Sequence, residues 1–169
     1  MPKACPEMKS ADKAIVFVLD SNLVYQRVIT KYLQVAGIRS VIVFSEPEKM
    51  YQSLKLHPDI LISEYIFENN ALLGHQVLTK VRKESPSTDI YFHTSLRDVD
   101  AAVNAMHSGA IDYIVKSTTA LDELVRKIIK RLQFKNTIGK SKRSIRNLIG
   151  YLGVIIIALV GIILFYSLV

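Results

Sequence analysis

The 169-residue sequence predicts an α/β fold, a doubly wound parallel sheet of five strands, followed by one C-terminal transmembrane helix. Three observations carry this prediction. Short β-branched runs alternate five times with segments of helical spacing, basic residues gather in one stretch near the C-terminus, and the last 22 residues carry no charge. Parallel neighbours need a crossover, and right-handed crossovers cover both faces of a sheet with helices.

Residues 1–13 (MPKACPEMKSADK) contain no apolar run of signal-peptide length and are expected to form a short disordered leader. Cys5, the sole cysteine, lies in it, so no intramolecular disulfide can form and a reducing compartment is compatible. The first strand is Ala14–Leu19, and the helix after it carries Val24, Val28, Tyr32 and Val35 before stopping at Gly37, a C-cap glycine. Val41–Phe44 is the second strand. Ser45, Pro47 and Glu48 then read as a capping box with an early proline, opening a helix through Met50 and Leu54. Ile60–Ser63 precedes a helix with Val77, Leu78 and Val81, and Ile90–His93 precedes one with Val99, Val103 and Met106 that ends before Gly109. After the fifth strand, Ile111–Val115, a helix beginning beyond Thr119 places Leu121, Leu124, Val125, Ile128, Ile129 and Leu132 on one face. The expected domain is therefore 14–134.

Residues 135–147 read as a basic juxtamembrane linker and 148–169 as the span. As a helix these 22 residues reach about 33 Å, against a hydrocarbon core of about 30 Å. Fifteen of them are Leu, Ile, Val or Phe, and their summed insertion preference is about 4 to 9 kcal/mol as an upper bound. Nine of the 22 basic residues and none of the 15 acidic ones fall between Arg126 and Arg146, so the net charge of +7 belongs to the segment next to the span. Positive flanks stay on the cytoplasmic side and attract anionic lipid at about 1 kcal/mol per residue. Lys135, Lys140, Lys142, Arg143 and Arg146 are thus expected at the membrane surface, with the N-terminal domain in the cytoplasm. A run with so few interleaved aromatics, directly before a span, argues against nucleic acid as the partner. Gly153 and Gly161 lack the GxxxG spacing, so a homodimer through the membrane is only weakly suggested.

In an open parallel sheet the functional site lies beyond the C-terminal ends of the strands. Those ends supply Asp20, Ser21 and Asn22, then Ser63, Glu64 and Tyr65, then Thr94 and Ser95, and finally Lys116. An Asp, a Glu, a hydroxyl and a Lys converging there suggest an ancestry in phosphate or divalent-metal chemistry. His57, His75, His93 and His107 have no metal-ligand spacing and read as surface or packing residues. VFVLDSN, HPDILISEY, FHTS and SGAIDYIVKS follow one another in the order of the receiver domain of bacterial two-component response regulators, CheY-like, and the stretch from Ala14 to about Leu132 resembles it. The resemblance implies a flavodoxin-like sheet of order 2-1-3-4-5.

It also implies roles and departures. In the family three carboxylates hold Mg²⁺ and a strand-three Asp accepts the phosphoryl group. Here the equivalent positions are Asp20, Ser21 and Glu64, so one ligand is missing and the phosphoacceptor position is a longer acid. Mg²⁺ demands near-octahedral oxygens at about 2.0 to 2.1 Å, so at most weak binding is expected at Asp20 and Glu64, and no cofactor is expected otherwise. Ser117 replaces the family's proline after the essential lysine. Thr94, Tyr113 and Lys116 match the residues that transmit the switch to the surface of helix four, strand five and helix five. The expected function is a membrane-anchored, non-enzymatic pseudo-receiver that binds a signalling protein through that face, with Glu64 paired to Lys116. A receiver phosphorylated in a phosphorelay, using Mg²⁺, is the alternative. A dehalogenase-type phosphatase would need an Asp where Asn22 stands.

Overall fold

The computed structural model describes the backbone of residues 13–67 and 73–168, and the side chains of 13–67, 74–139, 145 and 147–153. The strands are β1 (Ile15–Leu19), β2 (Ser40–Phe44), β3 (Ile60–Ser63), β4 (Asp89–Thr94) and β5 (Asp112–Val115). They pair in parallel in the order β2-β1-β3-β4-β5. The helices are α1 (Leu23–Val35), α2 (Pro47–Gln52), α3 (Leu73–Glu84), α4 (Val99–His107) and α5 (Ala120–Leu168), with a 3-10 turn at Leu54–Leu56.

Alternation along β1 explains the two layers. Successive side chains point to opposite faces, so Val16 and Val18 meet Ile29 and Leu33 of α1 and Leu124, Ile128 and Leu132 of α5. Phe17 and Leu19 meet Met50, Leu54, Val77, Leu78, Val81 and Ala105 on the other face. A strand buried on both sides must be apolar almost throughout, as β1 is and as β3 is up to its last residue, Ser63. The apolar stripes expected of the helices after the third and fifth strands and the buried Met50 and Leu54 match these contacts.

Three local readings are corrected. In α1 the buried positions are Gln26, Ile29 and Leu33, while Val24, Val28, Tyr32 and Val35 lie on the outer side, Val24 and Val35 being 70% and 72% exposed. In α4, Ala105 faces the core and Val99, Val103 and Met106 face outward. Both helices carry apolar residues on two sides, and the sheet selects the stripe whose shape fits. The capping box at Ser45 does not form: the N-cap is Glu46, without a side-chain cap bond, and Pro47 supplies the first turn.

Helix ends and one close approach explain the glycines that matter. Gly37 and Gly109 have φ of 90° and 99°, and the next amides close the turns, Ile38 N to Leu33 O and Ala110 N to Ala105 O. At Gly74 a Cβ would lie 2.4 Å from the Tyr65 ring, so only glycine lets α3 pass there.

The chain divides into two compact units, Met1–Gln133 and Phe134–Val169, with α5 contributing to both. Among the described residues no helix is long and apolar enough to cross a membrane. The side chains of 154–169, most of the expected span, lie outside the described residues, as do residues 1–12 of the expected leader and the side chains of Lys140, Lys142, Arg143 and Arg146. Lys135 is described and half-buried within the second unit.

Candidate functional site

The parallel register pairs Leu19 with Ser63 and Thr94 with Val115, which brings the residues just past β1, β3 and β5 to one end of the sheet. Backbone bonds continue the ladder by one step and fix them there: Glu64 N donates to Leu19 O at 2.8 Å and Lys116 N to Thr94 O at 2.8 Å. Gln26, buried in α1, donates to the carbonyls of Asp20 and Phe44 and so anchors the end of β1.

Three charged side chains meet. The Lys116 ammonium donates to Asp20 Oδ2 and to Glu64 Oε2, each at 2.7 Å. The second oxygen of each carboxylate is also engaged: Asp20 Oδ1 accepts from Asn22 N and Glu64 Oε1 from Tyr65 N, both at 2.8 Å. Asp20 and Glu64 are only 4% and 6% exposed. Two buried carboxylates around one ammonium leave the cluster formally one unit negative, which is tolerable because all four carboxylate oxygens accept hydrogen bonds.

The expected Glu64–Lys116 contact is present, and Asp20 shares the same ammonium. Ser21 follows Asp20, half-buried. The donor set does not suit a divalent cation: two carboxylates face the site, both committed to Lys116. Among the described residues no group of three or more His, Cys, Asp or Glu could hold a metal.

Thr94 and Tyr113 form a second group beside the first. Thr94 is fully buried, and its Oγ1 accepts from Leu96 N at 3.1 Å. The Tyr113 hydroxyl donates to Leu96 O at 3.1 Å, and its ring packs edge-on against Tyr65, with centroids 5.4 Å apart, and beside Phe92 at 6.3 Å. Tyr113 is therefore turned inward. Burial first, then its neighbours Tyr65 and Glu64, push its hydroxyl up to about 12.

Two residues close the site that were not singled out as functional in the sequence. The Tyr25 ring stands 4.1 Å from the Lys116 ammonium, a cation–π contact of about 0.5–2 kcal/mol. Its hydroxyl lies 2.8 Å from His93 Nδ1. His93 is buried, and desolvation, reinforced by the Lys116 charge and opposed by Glu64, lowers it to about 4, so the imidazole is neutral at pH 7. Burial, then Asp20 and Glu64, raise the Tyr25 hydroxyl. Strand parity was the available signal for His93: it shares a face with Tyr91, toward α1 and α5, opposite to Thr94.

A model of the response regulator receiver domain matches residues 16–129. The probable transcriptional regulator ycf27 of Porphyridium aerugineum is 26% identical over 122 residues, covering 71% of this chain and 50% of that protein. The DNA-binding transcriptional regulator NtrC of Escherichia coli K12 is 27% identical over 104 residues, 62% of this chain and 22% of that protein. The chain thus spans about half the length of the first and less than a quarter of the second. A two-component response regulator from Clostridium difficile superposes with a TM-score of 0.65 at 21% identity, covering 73% of this chain and 99% of that one. A receiver domain protein from Clostridium thermocellum gives 0.64 at 20%, covering 74% and 98%. The structural likenesses establish the five-stranded fold, and the match over residues 16–129 establishes the family: the chain belongs to the response regulator receiver domains of two-component signalling.

Proposed function

We propose that this receiver domain is a pseudo-receiver, a non-enzymatic interaction module held at the cytoplasmic face of a bacterial inner membrane and not switched by phosphorylation. The observation that carries the reading is the Lys116 ammonium, 2.7 Å from both Asp20 and Glu64. Glu64, a methylene longer than the family's acceptor Asp, reaches the lysine directly. Its second oxygen accepts from Tyr65 N, so both oxygens are already engaged by donors of the chain itself. Ser21 removes a further carboxylate. With Glu64 imitating part of the phosphorylated state and Tyr113 turned inward, the surface of α4, β5 and α5 is held in one arrangement, and a signalling protein docks there.

Membrane attachment is supported by the uncharged stretch 148–169 and the basic residues before it. Lys135, Lys140, Lys142, Arg143 and Arg146 contact anionic head groups, nucleic acid is not a partner, and self-association of the anchored chain is compatible with this arrangement.

Incubation with acetyl phosphate and Mg²⁺ tests the site. We expect no acyl phosphate on the wild type, and measurable Mg²⁺ affinity once Ser21→Asp and Glu64→Asp are combined. Stable, Mg²⁺-dependent labelling of Glu64 would instead establish the alternative, a phosphorylatable receiver in a phosphorelay. For the anchor, the full chain should stay in the membrane pellet through 1 M salt and alkaline carbonate. At that salt the Debye length is about 3 Å, so release by salt alone would mean attachment by basic charge without a span.

A further inference from the structure

We infer that Tyr25 is a positioning residue for Lys116, so that α1 is part of the lock on the site; the inference rests on the pseudo-receiver reading and deepens it. An ammonium has three protons to donate. Two go to Asp20 and Glu64, and the Tyr25 ring, 4.1 Å away, covers part of what remains. A ring on an exposed helix turn could swing away, but this one is held at its far end. Its hydroxyl is 2.8 Å from His93 Nδ1, the two rings are 5.4 Å apart, and His93 is 1% exposed within β4.

The near end is fixed as well. Asn22, the N-cap of α1, accepts from Val24 N and Tyr25 N at 3.0 Å each, while its own amide donates to Asp20 Oδ1 at 2.8 Å. Asp20, Asn22, Tyr25 and His93 thus form one connected path that runs from the carboxylate through the first turn of α1 to the inside of the sheet and closes over Lys116. Movement of the lysine away from its carboxylates takes it off the face of the ring, and the ring cannot follow without breaking its contact with His93. The lysine is therefore coupled to α1 as well as to its own strand.

The test is residue-resolved acylation of the full chain in detergent micelles with the acetyl ester of N-hydroxysuccinimide, read by mass spectrometry, with exposed Lys55 as internal reference. In the wild type, Lys116 should label at least tenfold more slowly than Lys55. Tyr25→Leu should accelerate Lys116 at least fivefold while Lys55 is unchanged, and Tyr25→Phe, which keeps the aromatic cap but loses its tether to His93, should fall between the Leu variant and the wild type. Equal Lys116 rates in Tyr25→Leu and the wild type, or equal rates in the Leu and Phe variants, would overturn the role of the ring. If wild-type Lys116 labels as fast as Lys55, the lock itself fails, and the pseudo-receiver reading with it. A second measurement needs no variant: the Tyr25 ring current should move the wild-type Lys116 Cε protons upfield, and random-coil positions for them would overturn the inference even if Tyr25→Leu does not fold.

Discussion

At the C-terminal end of the sheet a mostly buried ammonium serves two buried carboxylates, Asp20 and Glu64, whereas at the opposite end more exposed cations of α5 hold the strand acids: Arg131 forks onto Asp89 at 2.8 and 2.9 Å, and Lys127 pairs with Asp112 and with Glu123 of its own helix. The lower pairs join α5 to the first residues of β4 and β5, so they fasten a helix to the sheet through cations that stay about a third exposed or more. The upper cluster draws its three groups from the loops after three strands, leaves an excess negative charge, and is closed by a helix residue over the cation. Half-exposed pairs between a helix and a strand end are what packing alone requires. On the pseudo-receiver reading we propose, a buried cluster with an excess carboxylate, at the position where ligands bind in such sheets, is a site whose own lysine has taken the cation's place.

The largest way to break this comparison is to remove the cation at each end. Lys116→Met leaves two buried carboxylates facing each other, and we expect a loss of about 3–5 kcal/mol at pH 7 by chemical denaturation. Lys127→Ala, whose side chain is 39% exposed, should cost only about 0–1 kcal/mol. Similar losses at both ends would remove the distinction.

A smaller effect sharpens the upper end. His93 is lowered to about 4 in the folded protein, against 6.5 when unfolded. The unfolded chain therefore takes up the proton first, and the contribution is complete above pH 6.5 and lost as the pH falls through 4. That difference corresponds to about 3 kcal/mol. Subtracting the stability profile of His93→Gln from that of the wild type should isolate this slope between pH 6.5 and 4. A flat difference would mean that burial beside Lys116 does not hold the imidazole neutral.

Much of this was legible in the sequence because it depends on position along strands. Residues just after apolar β-branched runs must gather at one end of a parallel sheet, which is why Asp20, Glu64, Thr94 and Lys116 could be read as neighbours. The outward faces of α1 and α4 were not legible: Val24, Val28 and Val35 have the same helical spacing as Ile29 and Leu33, and only the sheet decides which stripe it covers. Nor was Asp20's share of Lys116, since the family pattern suggested a lysine reaching toward the position of Glu64 alone. The contact of Tyr25 with His93 spans 68 positions and depends on the ring's orientation, for which neither residue type nor spacing gives a signal.

Asp20's share of the lysine also changes what the Glu64–Lys116 pair should be worth. In Glu64→Ala the ammonium keeps one carboxylate, so the cost should be about 1–3 kcal/mol, below that of stranding a buried charge. The direct test of the lock is a double-mutant cycle of Glu64→Ala and Lys116→Ala in the full chain in mild detergent, followed by urea unfolding. We expect a coupling of about 1–3 kcal/mol, whereas a coupling below about 0.5 kcal/mol would show that the two groups do not hold each other and would contradict a receiver locked by its own lysine.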